Sequence, residues 1–343
     1  YPGRPEPASR TPFYGEAPRE RDHNGRDMAG TARAWTVAVT GASGLVGSAL
    51  VTGLTSAGHR VVRVVRGAGA APVAGQRIAR WDPESGALEP PALAGADAVV
   101  HLAGESVAGG RWTEAKKRRI RSSRVDVTRR LAEALLRLER PPRLLVSASA
   151  VGYYGDRGSE ILREDSAPGP GFLAEVCREW EAATDPAARA GIRVVRLRIG
   201  MVLSRRGGAL GAMLTPFRLG AGGPVGSGVQ WVSWIAIDDL VGAILHALAT
   251  ESLAGPVNAV APEPVTNREL ARTLGRVLRR PALLPLPAVA ARLLFGQMAD
   301  ELLLASARVE PARLRATGFT FRHARLEDAL RHELGRPHRT RPT

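Results

Sequence analysis

Two stretches of the sequence carry residues able to do chemistry. In SASAVGYYGDRG an apolar run delivers a hydroxyl, Ser149, and two phenols, Tyr153 and Tyr154. A hydroxyl so placed can orient a carbonyl oxygen, and a phenol can pass that oxygen a proton. In WTVAVTGASGLVGSAL another apolar run ends in glycines spaced three apart, Gly41, Gly44 and Gly47, and then enters helix-forming residues. The first glycine permits a tight turn, the second lets backbone approach a pyrophosphate, and the third lets the helix pack close to the strand. The helix start then turns unpaired N–H groups toward the phosphates. A lone glycine triplet also fits an ordinary strand-to-helix turn, but the strand before it and the helix after it favour dinucleotide binding.

The end of the second apolar run, HRVVRVVRG, decides which dinucleotide. An NAD site places Asp or Glu there for the ribose hydroxyls, whereas an NADP site omits the acid and supplies a cation. Arg66 stands at that position with no acid nearby, and the missing carboxylate carries more weight than one arginine in an arginine-rich chain. The expected cofactor is therefore NADP(H), with Arg63 on another face of the strand.

These residues need a scaffold. Strands are predicted over Val37–Thr40, Arg60–Val65, Arg77–Trp81, Ala98–Leu102, Arg143–Ser147 and Arg193–Leu197, with helices between most of them. Short apolar runs without alternation suit strands buried on both faces, hence a parallel sheet covered by helices. The predicted fold class is α/β, a doubly wound Rossmann sheet with a smaller, mostly helical C-terminal substrate lobe. The domain division reads 1–33 as a disordered tail, 34–250 as the NADP-binding domain with substrate-lobe insertions, 251–335 as the helical domain and 336–343 as a flexible tail. The first segment is rich in Pro, Gly, Arg and Glu without an apolar period. Met28 stands just before the first strand, so the residues ahead of it are read as an upstream extension of the coding frame.

Composition narrows the classes. A chain of 343 residues with 44% apolar content can bury a large core. No apolar run approaches the ~20 residues of a membrane span, and the expectation is a cytoplasmic protein that does not engage membranes. One cysteine, Cys177, rules out an internal disulfide, and no HExxH spacing appears, so no metal is expected. The net charge of +15 invites a nucleic-acid reading, yet all but two of the 48 basic residues are arginines scattered among Ala and Gly. The run KKRRIRSSR, Lys116 to Arg124, is accordingly read as a solvated helix face rather than a nucleic-acid patch.

Longer motifs extend the reading. TGASGLVG, ADAVVHLAGE and VVRLRIGMVL resemble the extended short-chain dehydrogenase/reductase superfamily, in its NAD-dependent epimerase/dehydratase group. GESVAGGRWTEAKKRRIRSSRV, SAVGYYGDRG, PFRLGAGGPVGSGVQWVSWIAIDDL and GPVNAVAPEPVTN resemble members of that group that end in a C-terminal domain of unknown function. The resemblance implies that Gly41, Gly44, Leu45, Val46 and Gly47 hold the pyrophosphate. It further implies Arg66 for the adenosine phosphate, and Leu102, Ala103 and Gly104 for the ribose and nicotinamide side.

One departure limits the chemistry. The superfamily pairs a serine with a Tyr-x-x-x-Lys helix in which lysine lowers the tyrosine pKa. Ser149 fits the serine, but the helix GFLAEVCREWEAA has Phe172 or Leu173 at the tyrosine position and Val176 or Cys177 at the lysine position. Tyr153 or Tyr154 is the expected substitute; a phenol with its reference pKa of about 10 is a poor base at neutral pH but a usable acid. Packing is an equally good account of both tyrosines, and Glu105, Asp156 and Glu164 are weaker acid candidates. The glycine-rich stretch ending in Trp231 and Trp234 is expected to curve around a small-molecule substrate. Three functions stay open: NADP(H)-dependent reduction of a small carbonyl compound, a non-catalytic NADPH-binding regulatory role and, ranked lower, nucleotide-sugar epimerisation.

Overall fold

Runs such as TVAVT and AVVH have no polar alternation, so a strand made from them has to be covered on both faces. The computed structural model describes residues 34–66, 77–82 and 93–337; the expected tails, apart from Arg336 and Pro337, lie outside them. Strand β1 spans Thr36–Thr40, β2 Arg60–Val65, β3 Arg77–Arg80, β4 Ala98–His101, β5 Leu144–Ala150, β6 Arg193–Ile199 and β7 Gly255–Ala259. They form one seven-stranded sheet in the order β7-β6-β5-β4-β1-β2-β3, every neighbouring pair parallel. The chain reverses direction across the sheet between β1 and β4. In a doubly wound fold that switch point opens a crevice beyond the carboxyl ends of the strands.

Helix α1 covers Leu45–Ser56, α2 Glu114–Ser122, α3 Val125–Leu136, α4 Phe172–Ala182, α5 Gly208–Arg218, α6 Ile237–Ala249, α7 Asn267–Leu278, α8 Ala288–Phe295 and α9 Leu326–Glu333. Successive strand residues point to opposite faces. Val37, Val39, Val100, Val146 and Leu197 meet Leu50, Leu54, Leu240, Ile244 and Leu248 of α1 and α6 on one side. Ala38, Val62, Val99 and Leu145 meet Leu131 and Leu135 of α3 on the other. A separate cluster joins Leu210, Leu214 and Phe217 to Trp234, Leu270, Leu274, Leu278 and Leu330, forming the core of the lobe. The predicted capping box at the start of α7 is present: Thr266 Oγ1 accepts from Glu269 N at 3.2 Å and Glu269 Oε2 accepts from Thr266 N at 2.7 Å.

Three expectations need correction. The sequence assigns residues 255–259 to the helical domain, yet they form β7 and extend the main sheet, so the division at 250/251 cuts too early. Gly255, Pro256 and Asn258 obscured the strand; an edge position tolerates the missing proline N–H. Strand β5 runs past Ser147 to Ala150, which puts Ser149 inside the strand, opposite Arg198 of β6. Trp234, expected as a pocket wall, is fully buried in the lobe core, and its indole donates to Glu263 O at 2.9 Å.

Candidate functional site

Two of the three glycines, Gly41 and Gly47, make the close approaches that the spacing suggests. Gly41 adopts φ +67°, and a Cβ built there would lie 2.9 Å from the backbone of both Leu102 and Ala103. The turn after β1 thus rests directly on the end of β4, where no side chain fits. At Gly47 an added Cβ would come within 2.1 Å of Gly41 O, so α1 packs against the turn itself. Gly44 is the N-cap of α1, without a side-chain cap or a first-turn acid. Leu45, Val46 and Gly47 therefore begin a helix whose first N–H groups are available to an anion. Arg66 follows the last residue of β2 and is exposed.

A buried polar network carries this turn. Thr40 Oγ1 accepts from Leu102 N at 3.2 Å and Ala103 N at 3.4 Å, and it pairs with His101 Nδ1 at 2.7 Å. His101 Nε2 meets Thr128 Oγ1 at 3.0 Å, which also accepts from Trp180 Nε1 at 2.9 Å. Burial depresses the His101 pKa to about 4. Two backbone donors already occupy Thr40, so the threonine donates to Nδ1 and the neutral ring donates from Nε2.

The expected catalytic side chains do not share one environment. Ser149, 3% exposed, donates to Glu181 Oε1 at 2.8 Å. Glu181 is held by Arg198 through Nε at 2.8 Å and Nη2 at 2.9 Å, a bidentate pair. Burial opposes the Arg198 charge, but the Glu181 contacts outweigh it and raise the pKa. Tyr154 is fully buried; its phenol donates to Asn258 Oδ1 at 2.7 Å or Arg163 O at 2.9 Å and accepts from Arg198 Nη1 at 2.9 Å. Burial first, and Glu164 last, push it up to about 12 against the opposing pull of Arg198. The two tyrosines, paired as candidates in the sequence, therefore stand in different environments, with the Tyr154 phenol enclosed and fully engaged. The Tyr153 ring is half-buried, lies under the Arg198 guanidinium at 3.5 Å, and its hydroxyl makes no hydrogen bond to a described residue. Of the weaker acids, Glu105 accepts from Lys116 at 2.7 Å, Asp156 accepts from Gly158 N and Ser306 N, and Glu164 accepts from Asn258 N and Arg313 N.

The structure also shows which residues of α4 face the end of β5. A Cβ built on Gly152 would meet Leu173 Cβ at 3.4 Å and Cys177 Sγ at 4.0 Å, so these two, one helical turn apart, face the end of β5. Phe172 turns away to stack edge-on against Trp112, centroids 5.5 Å apart. Cys177 is buried and its thiol is pushed up to about 12, chiefly by burial and then by the Glu181 charge, with Arg124 opposing. The first N–H groups of α4 are capped from far along the chain: Glu301 accepts from Phe172 N at 3.1 Å and Leu173 N at 2.7 Å. Beside them Trp112, Ile120 and Met298, with Phe172, Leu173 and Phe295, form an apolar wall shared by the two halves of the chain.

Sequence reasoning missed Glu181, Arg198, Glu301 and Arg124. Arg198 had a visible signal, a charge within the buried run VVRLRI. Arg124 was hidden at the end of KKRRIRSSR, and the solvated-face reading fails there. Lys116 is 8% exposed, and Arg124 lies half-buried over the Trp180 ring at 5.2 Å. Away from these residues, His332 Nε2 and Asp238 Oδ2, 2.8 Å apart, tie α9 to the start of α6. No helix among the described residues is long and apolar enough to cross a membrane.

A parallel sheet with the order 3-2-1-4-5-6-7, a glycine turn at the switch point and an uncapped helix start define a Rossmann-type nucleotide-binding protein. The model of the NAD dependent epimerase/dehydratase family matches residues 37–259, and the chain belongs to that family. A domain of unknown function, DUF1731, matches residues 286–333. Epimerase family protein Mb2239 of Mycobacterium bovis is 44% identical over 301 residues, which is 88% of this chain and 98% of the relative. The crystal structure of human epimerase family protein SDR39U1 (isoform2) with NADPH superposes with a TM-score of 0.77 at 36% identity, covering 88% of this chain and 99% of that one. A nucleoside-diphosphate sugar epimerase from Corynebacterium glutamicum gives 0.71 at 43% identity, covering 88% of this chain and 59% of that one.

Proposed function

We propose that the protein is an NADPH-dependent reductase of a small carbonyl compound, with Tyr153 as the proton donor. The observation that carries the reading is the Tyr153 hydroxyl, the one among the three expected catalytic groups that has no protein partner among the described residues. The cofactor reading is supported by the NADPH in the human relative and by Arg66, with no acid, at the end of β2. The fit is sound, because the Gly41 turn leaves no room for a side chain against β4 and α1 offers open N–H groups. Gly41, Gly44, Leu45, Val46 and Gly47 would hold the pyrophosphate, Arg66 the adenosine phosphate, and Leu102, Ala103 and Gly104 the far half. When bound, NADPH supplies the hydride that carbonyl reduction requires.

Tyr153 gives its phenol proton to the substrate oxygen and recovers one from solvent. The Arg198 guanidinium, fixed by Glu181, holds the tyrosine ring from its face. Ser149, its hydrogen committed to Glu181, can accept a hydrogen bond but does not donate one to a carbonyl oxygen. Oxidation in the reverse sense lacks a base, since Leu173 is apolar and the Cys177 thiol stays protonated. Tyr153→Phe is expected to slow turnover on the order of 100-fold while leaving the NADPH dissociation constant unchanged; wild-type turnover in that variant overturns the assignment.

A second reading, an NADPH-binding protein without turnover, is favoured by the loss of both relay residues at Leu173 and Cys177. It becomes the better account if a broad panel of aldehydes and ketones elicits no NADPH consumption.

A further inference from the structure

Helix α4 carries no cation at the lysine position, yet a cation stands beside it from another helix. Arg124, at the junction of α2 and α3, places its guanidinium carbon 3.4 Å from a Cβ built on Gly104. The same group lies over Trp180 of α4 and acts electrostatically on Cys177. It therefore sits between the end of β4 and the helix that flanks the end of β5. The β4–β5 side of the switch point is the one opposite Arg66, since β2 lies on the other side of β1. A dinucleotide anchored by its adenosine phosphate at Arg66 and by its pyrophosphate at the Gly41 turn extends its second half onto this side.

The guanidinium is fixed but not saturated. Nη2 donates to Glu105 O at 2.9 Å and Nη1 to Ile120 O at 3.2 Å, with Ser123 Oγ at 3.5 Å. A guanidinium has five N–H donors, so Nε–H and one hydrogen of Nη2 have no acceptor among the described residues. Arg198 differs: Glu181, Tyr154 and Glu164 O take four of its five donors, and only one hydrogen of Nη2 is left. Two N–H groups of one planar, oriented guanidinium are thus open to a ligand's oxygens, and a ribose diol offers two.

We propose that Arg124 is the relocated cation of this site, a cofactor-binding residue that grips the nicotinamide-side ribose in place of a lysine on α4. The proposal rests on the NADPH reading above but not on turnover. It explains why Leu173 and Cys177 are tolerated: the helix has surrendered both relay residues, and the cation now comes from α2–α3. It also gives a purpose to the Glu105 and Ile120 carbonyls that aim the guanidinium across Gly104.

The test uses two probes on the full chain. NADPH carries both halves, whereas adenosine 2′,5′-bisphosphate carries only the adenosine half with its phosphate. Calorimetric titration of the wild-type protein, Arg124→Gln, Arg124→Lys and Arg66→Asp is expected to separate them. Arg124→Gln weakens NADPH about tenfold or more, the scale of a lost charged hydrogen bond, and leaves adenosine 2′,5′-bisphosphate within about twofold. Arg124→Lys recovers part of the loss, because it keeps the charge without the fork. Arg66→Asp weakens both probes. An Arg124→Gln variant that binds NADPH as the wild type does, or that loses both probes equally while Arg124→Lys does the same, overturns the proposal. If the wild-type protein binds NADPH with this pattern but reduces no carbonyl compound, the reductase reading falls and the role of Arg124 stands. If the wild-type protein binds no NADPH, both fall.

Discussion

His101 makes the stability of this protein depend on pH in a way that can be worked out. Its ring is fully buried, between Thr40 Oγ1 at 2.7 Å and Thr128 Oγ1 at 3.0 Å. Burial lowers its pKa from 6.5 to about 4. Between those values the unfolded chain binds a proton that the folded chain refuses, so acidification favours unfolding. The contribution is present in full above about 6.5, declines as pH falls and levels off below about 4. At 1.36 kcal/mol per pH unit, acidification to about pH 5 removes about 2 kcal/mol and the whole interval about 3 kcal/mol. Protonation also puts a second hydrogen at Nδ1, facing a Thr40 oxygen already committed to Leu102 N and Ala103 N. The acid form therefore loosens the Gly41 turn as well as the core. Urea titrations at about pH 7.5 and about pH 5, on the wild type and on His101→Gln, isolate the effect, because glutamine keeps a donor and an acceptor without titrating. The wild type is expected to lose about 2 kcal/mol more than the variant over that interval. Parallel losses in the two proteins, or a His101 ring resonance that titrates near 6.5 in the folded state, would refute the argument.

Three further outcomes follow from the geometry. The protein should bind NADPH more tightly than NADH, and Arg66→Asp should abolish or reverse that preference; equal calorimetric affinities for the two cofactors in the wild type contradict it. Glu181→Ala strands the Arg198 guanidinium, 3% exposed, in the core, and should cost about 3–5 kcal/mol in urea unfolding, well beyond Glu181→Gln. An unchanged midpoint would mean the ion pair is not holding β6 to α4. Gly47→Ala forces a methyl group to within 2.1 Å of Gly41 O, so the turn has to shift; a destabilisation of about 1–3 kcal/mol with weakened NADPH binding is expected, and retention of both argues against close packing there.

Much of the scaffold was legible because its determinants are local. Apolar runs without alternation announced a parallel sheet, and the glycine spacing announced its turn, where Gly41 meets Leu102 and Gly47 meets Gly41. Strand β7 was not legible, since Gly255 and Pro256 carry no strand signal and only the pairing to Val195 and Arg196 makes them a strand. The site was legible in residue types but not in commitments. Ser149, Tyr153 and Tyr154 are near neighbours in sequence, yet their hydroxyls differ because residues 32 and 104 positions away claim two of them. No periodicity encodes that Glu181 takes Ser149 or that Asn258 takes Tyr154.

The same reasoning bears on the C-terminal region. An α-helix start leaves N–H groups unpaired, and at α4 they are met by Glu301, 128 positions later, which Gln297 holds at 2.7 Å. A carboxylate at that end also suits the helix dipole. The α4 helix presents Leu173 and Cys177 to the end of β5, so under the proposed function its placement would set what stands beside the dinucleotide. Phe295 and Met298 reach the same place and pack with Trp112 and Phe172. Residues matched by a domain of unknown function thus cap α4 and wall its first turn. If the proposed reductase reading holds, its chemistry has to be sought with both halves present, because the C-terminal region holds the start of α4 in place.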